Sequence, residues 1–535
     1  MFESLALGPM VRVAKIEESW HGSILVASRR EPSPLKIQDL TFHPEKLDRV
    51  GDLDFWRFAV TLPRGERLAV WRFQIQGRAG SIPVPGIGDK ARFAFASCIG
   101  FQEEETAVKM GGLGKLPGHL ARHQEKRPYH AILLGGDQLY CDGVFKLPSL
   151  QKWLASRDEA TRAKAPFTKK MRNEVTAYYL QHYIAHFSDP DLAKMLAHLP
   201  FHATWDDHDI FDGWGSYDRF HKTKIAQEIF KIAKRMYLLV QQHTTEIRAR
   251  PDGLIGQNGF SSILPLSDAV TAVFVDSRTT RCKDVILPEV EWNLLFEKIE
   301  ASLQARSVQF LFIVFAVPLI YPEFGRIEDI LDKLNKYDWT RAQIWEHLFG
   351  KHLLNNYTHE YELLDDMVDH PKSKYHRAER DAFFLRLFAL ARAYNVRICF
   401  GSGDVHAMGY GESRSREAVP EESDPRFIPQ FISSAMGNEP ILEVPLKVLR
   451  ALGKGEEEST SESVESMVKI APNGKLKPKS LFANRGYMTF EVDGRGLKAV
   501  WHLEEDRNDR KLPLATAKKR IPPLQIGDQG GSDRA

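Results

Sequence analysis

Cysteine is scarce: four residues in 535, with no C-x-x-C spacing, which argues against a disulfide-stapled secreted scaffold. Long apolar runs are missing too. The longest, Phe310 to Tyr321, falls well short of the ~20 residues a membrane-spanning helix needs. Neither sign of charge prevails. Lys plus Arg number 73 against 71 Asp plus Glu, a net charge of +2, so no general attraction to nucleic acid or to an anionic membrane is built in. Any anionic substrate must be drawn by a local site. The opening stretch MFESLALGPMVRVAK lacks the basic, apolar and cleavage-site order of a secretory signal. The expectation is therefore a cytoplasmic protein, or a periplasmic or secreted one if a leader has been removed. No internal repeat is visible.

What is present is globular: 43% hydrophobic and 27% charged residues, in a length that suggests about two to four domains. Residues 1–88 predict a small β-sandwich, with short β-rich segments at Val11–Ile16, Ser23–Ala27, Phe55–Thr61 and Leu68–Gln76 separated by turns such as Pro63-Arg-Gly-Glu66. The Pro- and Gly-bearing stretch from Ser81 to Lys90 predicts the linker out of it. Residues 89–445 then alternate short apolar strands with amphipathic stretches, an α/β pattern. The strands are expected at Arg92–Ala96, Ala131–Leu134, Val270–Val275, Val308–Val317 and Val396–Phe400, and two long helices at Lys169–His186 and Lys222–His243. Residues 322–380, charged and rich in His and Trp, predict a helical insertion, with 322–363 as a lid. In the remaining region, 446–535, residues 453–467 predict an acidic loop that need not order. Tyr487–Val492 and Leu497–His502 predict a hairpin across Asp493-Gly494, and the last ~23 residues a tail.

Chemistry concentrates in five segments, each placing polar side chains directly after an apolar strand. They are Phe93-Ala-Phe-Ala-Ser97-Cys98; Gly136-Asp137-Gln138-Leu139-Tyr140-Cys141-Asp142; Trp205-Asp206-Asp207-His208-Asp209; Asp276-Ser277-Arg278; and Ser402-Gly403-Asp404-Val405-His406. One acidic strand end is an ordinary turn or cap; several interleaved with His, Cys and Tyr are not, because buried carboxylates need partners or cations. Ligand counting suggests two metals. Asp137 has two oxygens with which to bridge a pair ~4 Å apart. Cys98 and Tyr140 would give soft, electron-rich anions to one ion, Asp207 and Asp404 hard oxygens to the other. His406, two residues beyond Asp404, is placed to reach across, and His208 is the natural proton donor for a leaving group.

In this order the segments resemble the alkaline phosphatase D-type (PhoD-like) branch of the calcineurin-like metallophosphoesterases, over roughly residues 90–440. Phe431-Ile-Ser-Ser-Ala-Met436 is similar to a further strand of that family. The resemblance implies a two-sheet metallophosphoesterase sandwich flanked by helices, with an N-terminal β-sandwich domain. It also implies Cys98, Asp137, Tyr140 and His406 around one ion, Fe(III) in some members, with Asp137, Asp207 and Asp404 facing a second, divalent ion such as Ca, Mn or Zn. Two features depart from the family. After Asp209 this chain runs Ile210-Phe211-Asp212-Gly213-Trp214, so an Asn that touches metal or phosphate is absent and Asp212 stands near its place. No His-bearing fourth motif occurs near Ala316-Val317-Pro318.

The expected activity is hydrolysis of small phosphate mono- or diesters. Two metal ions would make water more acidic and neutralise the phosphoryl oxygens, His208 would serve the leaving group, and Asp212 and Arg278 would contact substrate, with Arg278 pairing to Asp276 as the structural alternative. The alternatives are a phosphodiesterase of lipid or nucleotide diesters, or a catalytically silent metal-binding scaffold. Gly111 to Leu116 fails the phosphate-loop pattern. His182 and His186 lack the Glu of a metalloprotease helix, and Cys141, Cys282 and Cys399 lack ligand spacing.

Overall fold

The computed structural model describes residues 5–113, 115–156, 159–216, 218–322, 369–474, 476–505 and 514–526. Two sheets face each other. The larger runs, edge to edge, through Ala515–Ile521, Gly496–Leu503, Gly486–Asp493, Arg92–Ala96, Ala131–Gly135, Phe201–Thr204, Leu7–Ile16, Ser19–Ser28, Leu53–Pro63 and Glu45–Val50. The second runs through Ser262–Pro265, Val270–Phe274, Phe310–Val314, Arg397–Ser402, Ile428–Ile432, Met408–Ser415, Ser463–Met467 and Glu457–Glu458. The middle strands of both are parallel.

Alternation along these strands builds the layers. Phe93, Phe95, Ala131 and Leu133 point between the sheets, where they meet Phe274, Phe312 and Phe431. Ala94, Ala96, Ile132 and Leu134 point outward, under helices such as Lys169–Phe187 and Lys224–Val240. Val273, Leu311 and Ile313 do the same on the far side, under Glu289–Ala305 and Arg377–Tyr394. Phe312 stands edge-on to Phe93, ring centroids 5.2 Å apart, and Phe490 stacks on Phe93 at 4.9 Å. Each such ring contributes about 1.5–3 kcal/mol by leaving water. Threonine caps start Lys169–Phe187 and Lys224–Val240, Thr168 accepting from Met171 N and Thr223 from Ala226 N, each at 3.2 Å. The fold is thus the expected α/β sandwich of two sheets flanked by helices.

The N-terminal strands are β-rich as expected, and the hairpin Ala69–Ile75/Arg78–Val84 lies against the same core. Their larger layer is continuous with the catalytic sheet, Leu7–Ile16 pairing in parallel with Phe201–Thr204 at Arg12 and Phe201. Three local expectations are corrected. Ser81 to Val84 belong to a strand rather than to a linker. The acidic stretch orders: Ser463–Met467 pairs with Met408–Ser415, and buried Glu465 meets Lys372 at 2.5 Å and Arg380. The tail supplies Ala515–Ile521, an edge strand along Gly496–Leu503. The lid expected at 322–363 lies, beyond Pro322, outside the described residues.

Candidate metal centre

The parallel strands of both sheets end on one side, where Ser97 bridges to Ala435 and so closes the two sheets together. Chemistry is expected at such carboxyl ends. Of eight non-glycine residues with positive φ among the described residues, four are Cys98 (51°), Asp137 (55°), Asp404 (62°) and His406 (46°). Left-handed backbone at such residues costs on the order of 1–3 kcal/mol each and persists only where surroundings over-determine it. Gly437 N and Ile99 N help to do so, donating to Cys98 O and Asp137 O at 3.1 and 2.9 Å. Ile441 N and the Ser434 hydroxyl hold His406 O.

The side chains converge. Cys98 Sγ lies 3.7 Å from Asp137 Oδ2, and Tyr140 OH lies 3.5 Å from the same oxygen and 2.7 Å from His406 Nε2. Among the described residues, three groups offer ligand atoms within 4.8 Å of one another: Cys98, Asp137 and His406; Asp137, Asp207 and His208; and Asp137, Asp206, Asp207 and Asp404. Asp137 belongs to all three. Its Oδ1 and Asp206 Oδ2 are buried with no hydrogen-bond partner, an arrangement that is costly unless something cationic sits there.

The electrostatics point the same way. Burial pushes Asp137 well above the usual carboxylate range; Asp206, Asp207 and Asp404 add to it, and His208 opposes. Asp404 is raised by burial and by Asp206, Asp207 and Asp369. Burial and Asp137 also raise Cys98, and burial, Cys98 and Asp137 raise Tyr140. His406 is lowered to about 4 by burial and His208, so its imidazole stays neutral, as a ligand requires. The donor set suits cation binding: a thiol, a phenol, imidazoles and further carboxylates all lie about Asp137.

His208 stands at the rim, half-buried, its Nδ1 2.9 Å from Asp142 Oδ2 and its Nε2 3.8 Å from Asp212 Oδ1. Burial opposes its charged form, but Asp142 and Asp207 outweigh burial and raise its pKa well above the ordinary value. Asp142 also accepts from Asp212 N at 2.6 Å, so one carboxylate fixes both the ring and the loop that follows it. Sequence reasoning missed Asp142 as an orienting group, although it lies two residues beyond Tyr140.

Arg278 is the clearest correction. It was expected to meet substrate or Asp276, yet its guanidinium is fully buried and all five N–H donors have acceptors. Nε donates to Asp206; Nη1 to Asp369 Oδ1 at 2.8 Å and Trp214 O at 3.1 Å; Nη2 to Asp369 Oδ2 at 2.6 Å and Asp207 Oδ1 at 3.4 Å. No donor is left for a phosphoryl oxygen. Asp276 instead takes Trp205 Nε1 at 2.8 Å and Phe260 N at 2.7 Å. Asp369 had no signal in the sequence at all.

Residues 87–351 match the PhoD related phosphatase family. The match takes in 265 of the 535 residues. An uncharacterized protein of Saccharomyces cerevisiae is 27% identical over 475 residues, covering 76% of this chain and 67% of its own. A solved structure of PhoD superposes with a TM-score of 0.56 at 12% identity, over 98% of this chain and 93% of the other, a likeness of fold. The purple acid phosphatase of yellow lupin (Lupinus luteus) gives 0.48 at 11% identity, over 94% and 73%. Of the candidate ligands, Cys98, Asp137, Tyr140 and Asp207 lie within the matched residues, and Asp404 and His406 lie beyond them.

Proposed function

We propose that this protein is a dinuclear metal-dependent phosphoesterase acting on small phosphate mono- or diesters. The observation that carries the reading is Asp137, the one side chain common to all three donor groups. Cys98, Tyr140 and His406 would hold one ion with it, and Asp207 and Asp404 the other. Two cations so held would neutralise the phosphoryl oxygens and acidify a water between them. The chain's own part is positional and protonic. Asp142 orients the His208 ring, which borders the acidic pocket beside Asp137 and Asp207 and serves as donor to the departing oxygen. Asp212, on the far side of that ring, completes its acidic surround. Among the described residues no helix is long and apolar enough to cross a membrane.

Asp137→Asn tests the reading. A neutral amide bridges poorly, so the variant should lose at least one metal equivalent and nearly all turnover of p-nitrophenyl phosphate and bis-p-nitrophenyl phosphate. Full metal content with wild-type turnover would sink it. The thiol–phenol side favours a ferric ion with a Ca, Mn or Zn partner. Iron-loaded protein should then be coloured, with Tyr140→Phe shifting or weakening the band; a colourless ferric form overturns the iron assignment alone.

A further inference from the structure

Asp207 is held unequally. Its Oδ2 accepts from Gly213 N at 2.7 Å, whereas its Oδ1 has the Arg278 guanidinium at 3.4 Å, too long for a firm charge-assisted bond. The guanidinium does not close that gap because its outer edge is engaged elsewhere: Asp369 accepts from both Nη1 and Nη2 in the two-pronged geometry, at 2.8 and 2.6 Å. Asp369 is itself held, by a hydrogen bond from Ser216 Oγ at 2.8 Å and by the Arg281 guanidinium, which pairs with its carboxylate in charge at 3.0 Å and donates from Nη2 to its main-chain oxygen. All of these groups are buried.

We propose that Asp369 is a positioning residue for Asp207: by occupying the fork of Arg278 it keeps that cation from drawing Asp207 Oδ1 out of the metal-binding group. The inference rests on the dinuclear reading above. A buried guanidinium that loses its bidentate partner must find another acceptor; Asp206 already takes Nε, and Asp207 Oδ1, at 3.4 Å, is the other carboxylate oxygen that Nη2 faces. Without Asp369, then, Arg278 competes with metal for the same oxygen. Asp369 touches neither substrate nor metal in this scheme; it acts through Arg278.

The test is Mn2+ titration of the chelator-stripped full chain, followed by the loss of the free-ion EPR signal and by calorimetry. Asp369→Asn should raise the Mn2+ dissociation constant about 10-fold or more, the range for partners one step removed from a ligand. Excess Mn2+ should restore turnover, which a merely structural lesion would not allow. Ser216→Ala removes a contact to the same carboxylate without changing its charge and should leave Mn2+ affinity unaltered. Arg281→Gln, usable even if Asp369→Asn fails to fold, removes the Asp369 ion pair and the bond to Asp369 O while leaving the fork of Arg278 occupied, and should change affinity by less than tenfold. Unchanged affinity in Asp369→Asn, equal loss in Ser216→Ala, or a tenfold loss in Arg281→Gln overturns the proposal. If the wild-type chain binds no Mn2+, the dinuclear reading falls and takes this inference with it; if wild type binds and Asp369→Asn binds equally, only the positioning role fails.

Discussion

The buried acidic cluster has two halves that differ in one respect. On the Arg278 side, Asp369 sits below the usual carboxylate range because Arg278 and Arg281 outweigh its burial, whereas Asp206, which meets Arg278 through one oxygen only, is still raised by burial to about 7. On the Asp137 side, the carboxylates of Asp137 and Asp404 lie with a thiol and a phenol; His208 opposes the rise at Asp137 and Arg278 that at Asp404, and burial outweighs both. Asp369 is neutralised from within; Asp137 is left to be neutralised from outside. Buried like charges of this kind separate a structural ion-pair network from a site built for cations.

The comparison can be broken in three ways. The largest effect is expected at His208, the proton donor on the open side. His208→Ala should keep both metals and slow esters of poor leaving groups by ~10²–10⁴ while sparing p-nitrophenyl esters; equal losses on both would give His208 a ligand or positional role instead. Next comes Arg278→Gln, which strips the closed half of its cation. Breaking a buried pair costs about 3–5 kcal/mol, and the loss, read from urea unfolding, should persist in chelator, since the compensation there is internal. A loss that vanishes when metal is removed would erase the distinction between the halves. The smallest contrast lies around His208 itself. Asp142→Asn weakens a 2.9 Å charge-assisted bond and should cost about 1.5–3 kcal/mol in transition-state stabilisation, whereas Asp212, at 3.8 Å, should cost under about 0.5 kcal/mol as Asp212→Asn. Both are read from kcat/KM on a poor-leaving-group ester.

The candidate ligands were legible because each follows a strand within a few residues, so a short motif carries both the element and the chemistry. Asp137 follows Ala131–Gly135 by two residues and Asp404 follows Arg397–Ser402 by two. The central strands and both long helices were legible for the same reason, their apolar periods being local. What was illegible is long-range. Arg278 finds Asp206 and Asp369 at sequence separations of 72 and 91 residues, and no spacing rule predicts a buried pair of that kind. Strand periodicity also says which face is buried but not which strand is the neighbour. The continuity of Leu7–Ile16 with Phe201–Thr204, and the capture of Ser463–Met467 and Ala515–Ile521 by existing sheets, therefore emerged only in three dimensions.

The larger sheet draws its strands from residue 7 through residue 521, and this bears on how the protein is made. A chain leaving the ribosome presents Arg92–Ala96 early, yet one flank of that strand is covered only by Gly486–Asp493, and Phe93 gains its stacked partner only when Phe490 arrives. Until then the nascent sheet carries an open hydrogen-bonding edge and bare aromatic rings, the features that invite aggregation during slow, non-local folding. Synthesis that stalls after the catalytic segments but before residue 486 would release a polypeptide holding every candidate ligand and no finished sheet to mount them on.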